Sequence, residues 1–369
     1  PPFNPVASRQ FFTVWNVQAF AIIFCRKRHY QYPLIHWPTF HLEEVSLPLL
    51  MVVALTGATY SYRPGHGLEN IKEARKLYHV ADGFVFERLE TFLRDTDAPL
   101  SSQANQVKGL QLCQASLLMY GLETLSISDS AIHRIAVTER LPAIVTALRR
   151  LQTGGFLCTR EQVIRLATWA FAVDGLATLC CNNPPVFSMP EMSGSLPCNP
   201  ALWDADSGHA FGLLRREYGA GSLSLKGVMS RLLHGASKNH DCEMESLIPF
   251  ELHIVICGKL PPVINLSCGP PTLLEHLLRR HVRQLCNQSS SILKSLLSLP
   301  RQSTTLLQAL TKWKRLWERA LGRTSPHCRK YLGMANNIPA IEQLSRRIVQ
   351  IATRPQTGSS RYLERVPFA

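Results

Sequence analysis

The fold is decided by residues 161–185, EQVIRLATWAFAVDGLATLCCNNPP. From a start near Thr159 the stretch reads as one apolar helix until two asparagines and two prolines follow Cys181. Asparagine can leave the helical conformation locally, and proline biases the residue before it away from helical angles. We therefore expect a long, largely buried helix that ends by about Asn183 and passes into a connector.

Helical periodicity recurs in the rest of the chain. Residues 68–94 place apolar side chains three or four positions apart, which predicts one long helix or a helix pair interrupted near Gly83. Residues 104–125 are apolar over most of the helix circumference, which predicts a central helix. Strand patterns are nearly absent, and the best candidate, Leu252–Cys257, could equally be helical. The sequence predicts an all-α fold, a large irregular bundle of about 12–16 helices with long loops.

Length and composition indicate a globular chain. Its 369 residues are 46% hydrophobic and 18% charged, which is enough for a large core in one domain or two packed halves. The apolar runs at residues 11–24 and 45–60 are shorter than the roughly 20 residues that a membrane span needs. We interpret the first run as a buried helix and expect no membrane partner. The basic cluster Arg26–His29 after it matches a nuclear import signal only weakly.

The net charge of +14 is concentrated in the last third of the chain. Residues 251–369 hold 18 Lys and Arg against 5 Asp and Glu, and three basic amphipathic helices are expected at 272–287, 303–322 and 338–353. Such a surface could face nucleic acid, an acidic protein segment or anionic lipid, or it could be a solvated set of helix faces. We expect weak, non-specific contact with DNA at most.

The second of these basic helices provides a candidate partner face. Lys312, Trp313, Arg315, Trp317 and Arg319 combine an aromatic stripe with flanking cations, a pattern that could dock on an acidic partner. The alternative is a bundle helix whose tryptophans are core, and we favour it because a stripe at this spacing is what packing requires.

The eleven cysteines do not form a recognisable metal site. They are scattered, odd in number and set mostly among apolar residues, which favours a reducing compartment. No Cys-x-x-Cys pair exists, and the densest group of ligand types, His234, His240, Asp241 and Cys242, reads better as a surface loop. The serine nucleophile elbow, the phosphate loop and the dinucleotide motif are also missing. We predict no catalytic residue, metal or cofactor in this chain.

Several short motifs occur together in one order along the chain. The segment 33–40, PLIHWPTF, precedes an apolar helix that ends in Gly-Ala-Thr-Tyr. After it come Ala74-Arg75-Lys76-Leu77, the segment Leu110–Glu123, His133-Arg134, the helical positions Glu161, Arg165, Trp169, Phe171 and Asp174, then Asn183-Pro184-Pro185 and Leu196-Pro197-Cys198. This order resembles the fungal-specific transcription factor regulatory domain, also called the middle homology region.

The resemblance implies an all-α module of nuclear fungal regulators, which is not known as an enzyme. Residues 11–260 would form that region, and residues 261–369 a basic helical part packed on it, with a loosely ordered tail after residue 354. The zinc domain of such regulators cannot be built from the Cys and His spacings here, so we expect zinc and DNA reading only in a missing N-terminal domain. In the resemblance, Cys198 is a structural residue of a turn.

The expected function is regulatory. We expect the domain to act in the nucleus through the transcription machinery or self-association, and to sense a small apolar effector. Trp37, Phe40, Trp169 and Phe171 are candidates for an effector pocket, although such aromatic residues are more often plain core. The alternatives are a stand-alone helical scaffold that has lost its DNA-binding half and a helical enzyme with a dispersed active site. Residues to test for an enzyme are His36, His133 and Glu161.

Overall fold

Helices make up the architecture of the protein in the computed structural model, which describes residues 5–61, 68–95, 103–126, 134–151, 157–181, 184–218, 223–234, 241–258, 300–324, 332 and 338–353. These residues contain fourteen α-helices. In this part of the chain no strand forms, and the β-type pairing seen is an isolated antiparallel bridge between Ser195 and Ser224. The predicted all-α fold is therefore confirmed.

The chain divides into two compact units, and the long helix at residues 157–181 contributes to both. Unit 1 consists of Pro1–Ala170 and Pro197–Ala220, and unit 2 of Phe171–Leu196 and Gly221–Ala369. The helices of unit 1 are α1 (Pro5–Phe11), α2 (Val14–Phe24), α3 (Leu47–Thr59), α4 (Glu69–Arg94), α5 (Gln103–Ser126), α6 (Leu141–Arg150), the first part of α7 (Leu157–Cys181), α8 (Pro200–Trp203) and α9 (Gly208–Tyr218).

Helix α3 lies at the centre of unit 1. It is apolar on every side, and it contacts α2, α4 and α5. Gly57 permits the close crossing with α2, because a Cβ atom there would lie 1.9 Å from the carbonyl oxygen of Phe20. Helix α5, predicted to be central, buries nearly every described side chain from Gly109 to Leu122. The core of unit 1 forms around these two helices.

Helix α4 is one continuous helix, which decides between the two forms expected for residues 68–94. Gly83 lies on the exposed side of the helix, and no atom lies within 4 Å of the position that an added Cβ would occupy. The helix buries a stripe that includes Leu77, Val85 and Leu89, and turns its charged side chains outward. A glycine on the solvent side therefore does not break this helix, because the buried stripe continues past it.

Helix α2 departs from the expectation of a buried helix. Phe20, Ala21 and Phe24 are buried, but Trp15 is 81% exposed on the other side. The basic cluster that follows is also not fully accessible. It forms a π-helical turn, Cys25–His29, whose side chains Arg28 and His29 are buried while Arg26 and Lys27 remain exposed.

Unit 2 contains the end of α7 and the helices α10 (Leu225–His234), α11 (Asp241–Glu245), α12 (Pro249–Cys257), α13 (Pro300–Arg323) and α14 (Ile338–Thr353). The strand candidate at residues 252–257 is the buried helix α12, which starts with proline at its first turn. Here the flanking proline and the tertiary contacts override the β-branched composition. Helix α13 contacts α10, α11, α12 and α14.

Two of the three basic helices expected in the last third are confirmed as α13 and α14. The third, at residues 272–287, lies outside the described residues, as does the tail after residue 354. Within the described part of the chain, no helix combines the length and the apolar character needed to cross a membrane.

Candidate functional site

Asp174 of α7 holds the connector that follows the helix. Its carboxylate accepts hydrogen bonds from the backbone N–H groups of Val186, at 3.0 and 2.9 Å, and of Phe187, at 2.9 Å. Asp174 is 1% exposed, so these charge-assisted bonds lie out of water, where they are strong. The ring of Phe187 meets that of Phe171 edge-on at 6.0 Å. The helix ends at Cys181, as predicted, and its last turns fix the path of the chain within unit 2.

Glu161 and Arg165 hold a second turn, at Cys198 in unit 1. The carboxylate of Glu161 accepts from the backbone N–H of Cys198 at 2.8 Å, and Arg165 donates to the Cys198 carbonyl at 2.6 Å. The two side chains also pair with each other, with Arg165 Nε 2.9 Å from Glu161 Oε1. Burial raises the pKa of the Cys198 thiol to about 11, so it is no nucleophile near neutral pH. The expected structural role of Cys198 agrees with this geometry.

Trp203 is the centre of a buried polar cluster in unit 1. The Arg165 guanidinium lies over its ring at 4.6 Å, and the His36 ring meets it edge-on at 4.7 Å. The Trp203 indole N–H donates to the carbonyl of Ile35 at 3.2 Å. These contacts fix helix α8 against the segment around residue 36.

At the edge of this cluster the imidazole of His29 faces the carboxylate of Asp204. His29 Nε2 lies 3.0 Å from Asp204 Oδ1, and the histidine side chain is 1% exposed. Burial lowers the pKa of His36, and Asp204 opposes that shift without cancelling it. Burial, followed by Asp204, raises the pKa of Tyr30. His29 and Asp204 are 175 residues apart in sequence, so no local spacing could have indicated their pairing.

The residues proposed for an enzyme are engaged in this framework where they are described. His36 Nδ1 lies 2.8 Å from the hydroxyl of Thr39, and burial lowers the pKa of His36. Glu161 is bound to Arg165 and to Cys198, and His133 lies outside the described residues. The geometry of His36 and Glu161 is that of structural groups.

The four aromatic residues proposed for an effector pocket lie in three places. Trp37 and Phe40 stack on each other at 5.1 Å and are half-buried. Trp169 stacks on Tyr32 at 4.3 Å in the core of unit 1. Phe171 packs in the core of unit 2. Trp37 and Phe40 are thus the part of the set that a ligand could reach.

The proposed partner face on α13 keeps its cations at the surface but not its aromatic rings. Trp313 is 1% exposed and Trp317 5% exposed, and the two rings stack at 5.4 Å. The indole N–H of Trp313 donates to the Leu252 carbonyl at 2.9 Å. Lys312 and Arg315 are exposed on the outer side. The tryptophans are core, so any contact made by this face would rest on charge.

Arg319, the last residue of this proposed face, forms an ion pair with Glu245 of α11. Its side chain is 61% exposed, so the pair contributes little to stability because solvent screens it. Arg319 therefore still adds positive charge to the outer surface of α13, although less than Lys312 or Arg315.

A cavity of about 200 Å³ opens where α4 ends, and sequence reasoning had not indicated it. Phe92 and Leu112 form its apolar part, and Lys108 and Arg150 contribute positive charge. Arg150 donates to the carbonyls of Phe92 and Asp95 and lies 4.9 Å over the Phe92 ring. Arg150 thereby satisfies carbonyls that the helix end leaves open.

Within the described residues no group of three or more His, Cys, Asp or Glu side chains could hold a metal ion. The candidate loop lies partly outside them, because residues 235–240 are not described. His234 is the last residue of α10, and Asp241 and Cys242 belong to α11.

Comparison with known proteins gives one match. The family model described as the fungal specific transcription factor domain matches residues 21–324. No curated protein and no solved structure matches the chain. The matched range includes the Glu161–Arg165 pair, Asp174 and helix α13.

Proposed function

The chain belongs to the fungal-specific transcription factor domain family, and from that membership we propose that it is the regulatory domain of a nuclear transcription regulator that works by binding other proteins. The family is generally non-enzymatic, and the family match over residues 21–324 is the observation that carries the proposal. The engagement of His36 and Glu161 in the packing of unit 1 supports a binding module rather than an enzyme.

The outer side of α13 is the face that we propose for a partner of acidic character. Lys312, Lys314 and Arg315 are exposed there, on the helix whose Trp313 and Trp317 are buried and stacked. Exposed charges of one sign attract a partner of opposite charge at long range and change the association rate more than the affinity. Contacts made by this face should accordingly weaken as salt rises.

Regulation would follow from a shift between two arrangements of the helices. A ligand shifts such an equilibrium only by its difference in affinity for the two states. We propose that a small apolar effector binds at the half-buried stack of Trp37 and Phe40. The ring centroids of Phe24 and His29 lie 6.4 and 6.2 Å from that of Trp37. Zinc and sequence-specific DNA binding would belong to a separate domain of the regulator.

A transcription reporter tests the proposal. The chain, fused to a heterologous DNA-binding domain, is expected to change reporter output in fungal cells relative to that domain alone. The double variant Lys312→Glu/Arg315→Glu should reduce the change roughly threefold or more, because two attractive contacts become repulsive. Immunoblots and thermal unfolding of the purified variant check that protein level and stability are unaltered.

The matched control is Arg215→Glu/Arg216→Glu, which reverses two exposed cations on α9. This control should leave reporter output unchanged. A fusion that acts no differently from the DNA-binding domain alone would contradict the regulatory function. An equal loss in both double variants would contradict the assignment to α13.

A further inference from the structure

Helix α2 carries an apolar strip that the described residues of unit 1 leave exposed. Val14 is 72% exposed, Trp15 81% and Ile22 49%, while Phe20, Ala21 and Phe24 on the opposite side are buried. Positions 15 and 22 are seven residues apart and lie on one side of a helix, about 10 Å along its axis. We call Trp15 and Ile22 the α2 strip; Val14, which lies seven residues before the buried Ala21, is exposed at the start of the helix and is not part of the strip.

A tryptophan as exposed as Trp15 is uncommon unless it takes part in binding. Covering a tryptophan buries roughly 150–250 Å² of surface area. Tryptophan is also among the residues that most often dominate the binding energy at interfaces. A helix that is apolar all round is normally covered on every side. Helix α2 has only two polar residues, Asn16 and Gln18, yet the side that carries Trp15 and Ile22 is exposed.

The surroundings of the strip carry positive charge. Arg26 and Lys27 are exposed about one turn beyond Ile22, and Arg9 is exposed in α1. Residues 1–42 contain four Lys or Arg and no Asp or Glu. A complementary surface would therefore combine apolar side chains with carboxylates.

We propose that the α2 strip docks an amphipathic acidic segment of another protein. Apolar side chains of the segment, spaced over two helical turns, cover Trp15 and Ile22, and carboxylates at one end of the segment pair with Arg26 and Lys27. This contact differs from the one at α13, where the aromatic residues are core and only charge faces outward. It does not depend on the function proposed for α13.

A second copy of the chain fits the strip less well than an acidic segment does. A two-fold contact would bring Arg26 and Lys27 of both copies to the interface, where residues 1–42 provide no carboxylate to pair with them. A lipid surface would meet the charges, but interfacial binding scales with the apolar area inserted, and this area is small.

Binding of a designed peptide to the full chain tests the proposal. The probe is a fluorescein-labelled amphipathic peptide of roughly four helical turns, with leucines at positions i, i+3, i+4 and i+7 and glutamates elsewhere. A matched peptide has glutamine in place of every glutamate. Fluorescence anisotropy should show tighter binding of the acidic peptide, and Trp15→Ser should weaken that binding tenfold or more, roughly.

The charge contribution is tested separately. Arg26→Glu/Lys27→Glu should weaken binding of the acidic peptide and leave binding of the glutamine peptide unchanged. Leu213→Ser is the matched control, because Leu213 is an apolar residue 52% exposed on α9. It should bind the acidic peptide as the wild type does, as should Lys312→Glu/Arg315→Glu, so a failure at α13 and a failure at α2 remain distinguishable.

Three results would overturn the inference. The first is equal binding by wild type and Trp15→Ser, or no binding by wild type at up to about 1 mM protein. The second is a dimer in sedimentation equilibrium that Trp15→Ser converts to a monomer, because the strip would then be a self-contact. The third is Trp15-dependent binding to vesicles of phosphatidylcholine and phosphatidylserine without peptide binding.

Discussion

Buried ionisable side chains in both units bind main-chain groups. Asp174, Glu161 and Arg165 hold the connector, and the Glu251 carboxylate accepts from the backbone N–H of Ile248 at 2.9 Å at the start of α12. Burial also shifts the pKa values of two residues of α12, Glu251 and His253. Burial raises the pKa of Glu251 to about 7 and lowers the pKa of His253 to about 4.

We predict opposite pH dependences for variants of these two residues. Between pH 4.5 and about 7 the unfolded chain loses the Glu251 proton while the folded chain keeps it, so this residue makes stability fall as pH rises. Glu251→Gln removes this loss of stability. The free energy of unfolding of the variant, relative to wild type, should therefore rise by up to about 1.4 kcal/mol per pH unit across this window.

His253→Gln is the matched comparison. Between pH 6.5 and about 4 acid protonates the unfolded histidine but not the folded one, so His253 makes stability fall as pH falls. The stability of His253→Gln relative to wild type should thus decline as pH rises from about 4 to 6.5. Urea unfolding followed by circular dichroism at several pH values measures both differences. Parallel curves for the variants and wild type would contradict the prediction.

At the scale of single helices, the close crossing of α2 and α3 depends on a glycine. At Gly57 of α3 an added Cβ would lie 1.9 Å from the Phe20 carbonyl oxygen, a backbone atom that cannot rotate away. Gly57→Ala is expected to force α2 and α3 apart and to cost about 2 kcal/mol or more in urea unfolding. Gly83→Ala in α4 meets no atom within 4 Å and should stabilise the protein by about 0.5–1 kcal/mol. An equal effect of the two substitutions would contradict this account.

Helices were the most predictable elements, because periodicity and breakers are local signals. The end of α7 follows from the asparagines and prolines after Cys181. The burial of Trp313 agrees with the interpretation favoured from the spacing of its stripe. The exposure of Trp15 could not be predicted, since an apolar stripe does not show which tertiary contacts will cover it. The composition of residues 252–257 left strand and helix open, and packing decides for the helix α12.

The basic charge of the last third of the chain has a consequence for the whole molecule. The exposed cations on α13 should give weak binding to DNA at low salt, with affinity falling as salt rises. The slope of log K against log salt would be about −0.9 for each phosphate neutralised, and Lys312→Glu/Arg315→Glu should reduce its magnitude by about two. Fluorescence anisotropy with a labelled duplex measures the slope. Affinity that is independent of salt, or no binding at low salt, would remove nucleic acid as a partner of this chain.

Candidate site residues were predictable only in part. The family motifs correctly drew attention to Glu161, Arg165 and Asp174, whose contacts the structure shows to be with the backbone of the connector. The pair His29 and Asp204 was missed because residues 175 positions apart come together only through the fold. Distances of that kind are not encoded in local spacing.

The way in which α7 holds the connector has an evolutionary consequence. Asp174, Glu161 and Arg165 bind backbone N–H and C=O groups. Every residue provides a backbone C=O, and every residue except proline provides a backbone N–H. Mutations that replace connector side chains leave these bonds intact, whereas insertions or deletions displace the bonded atoms. Among relatives of this chain the connector residues between the Asn-Pro-Pro and Leu-Pro-Cys motifs should therefore diverge quickly in composition while the connector keeps its length, and the three α7 positions should diverge slowly.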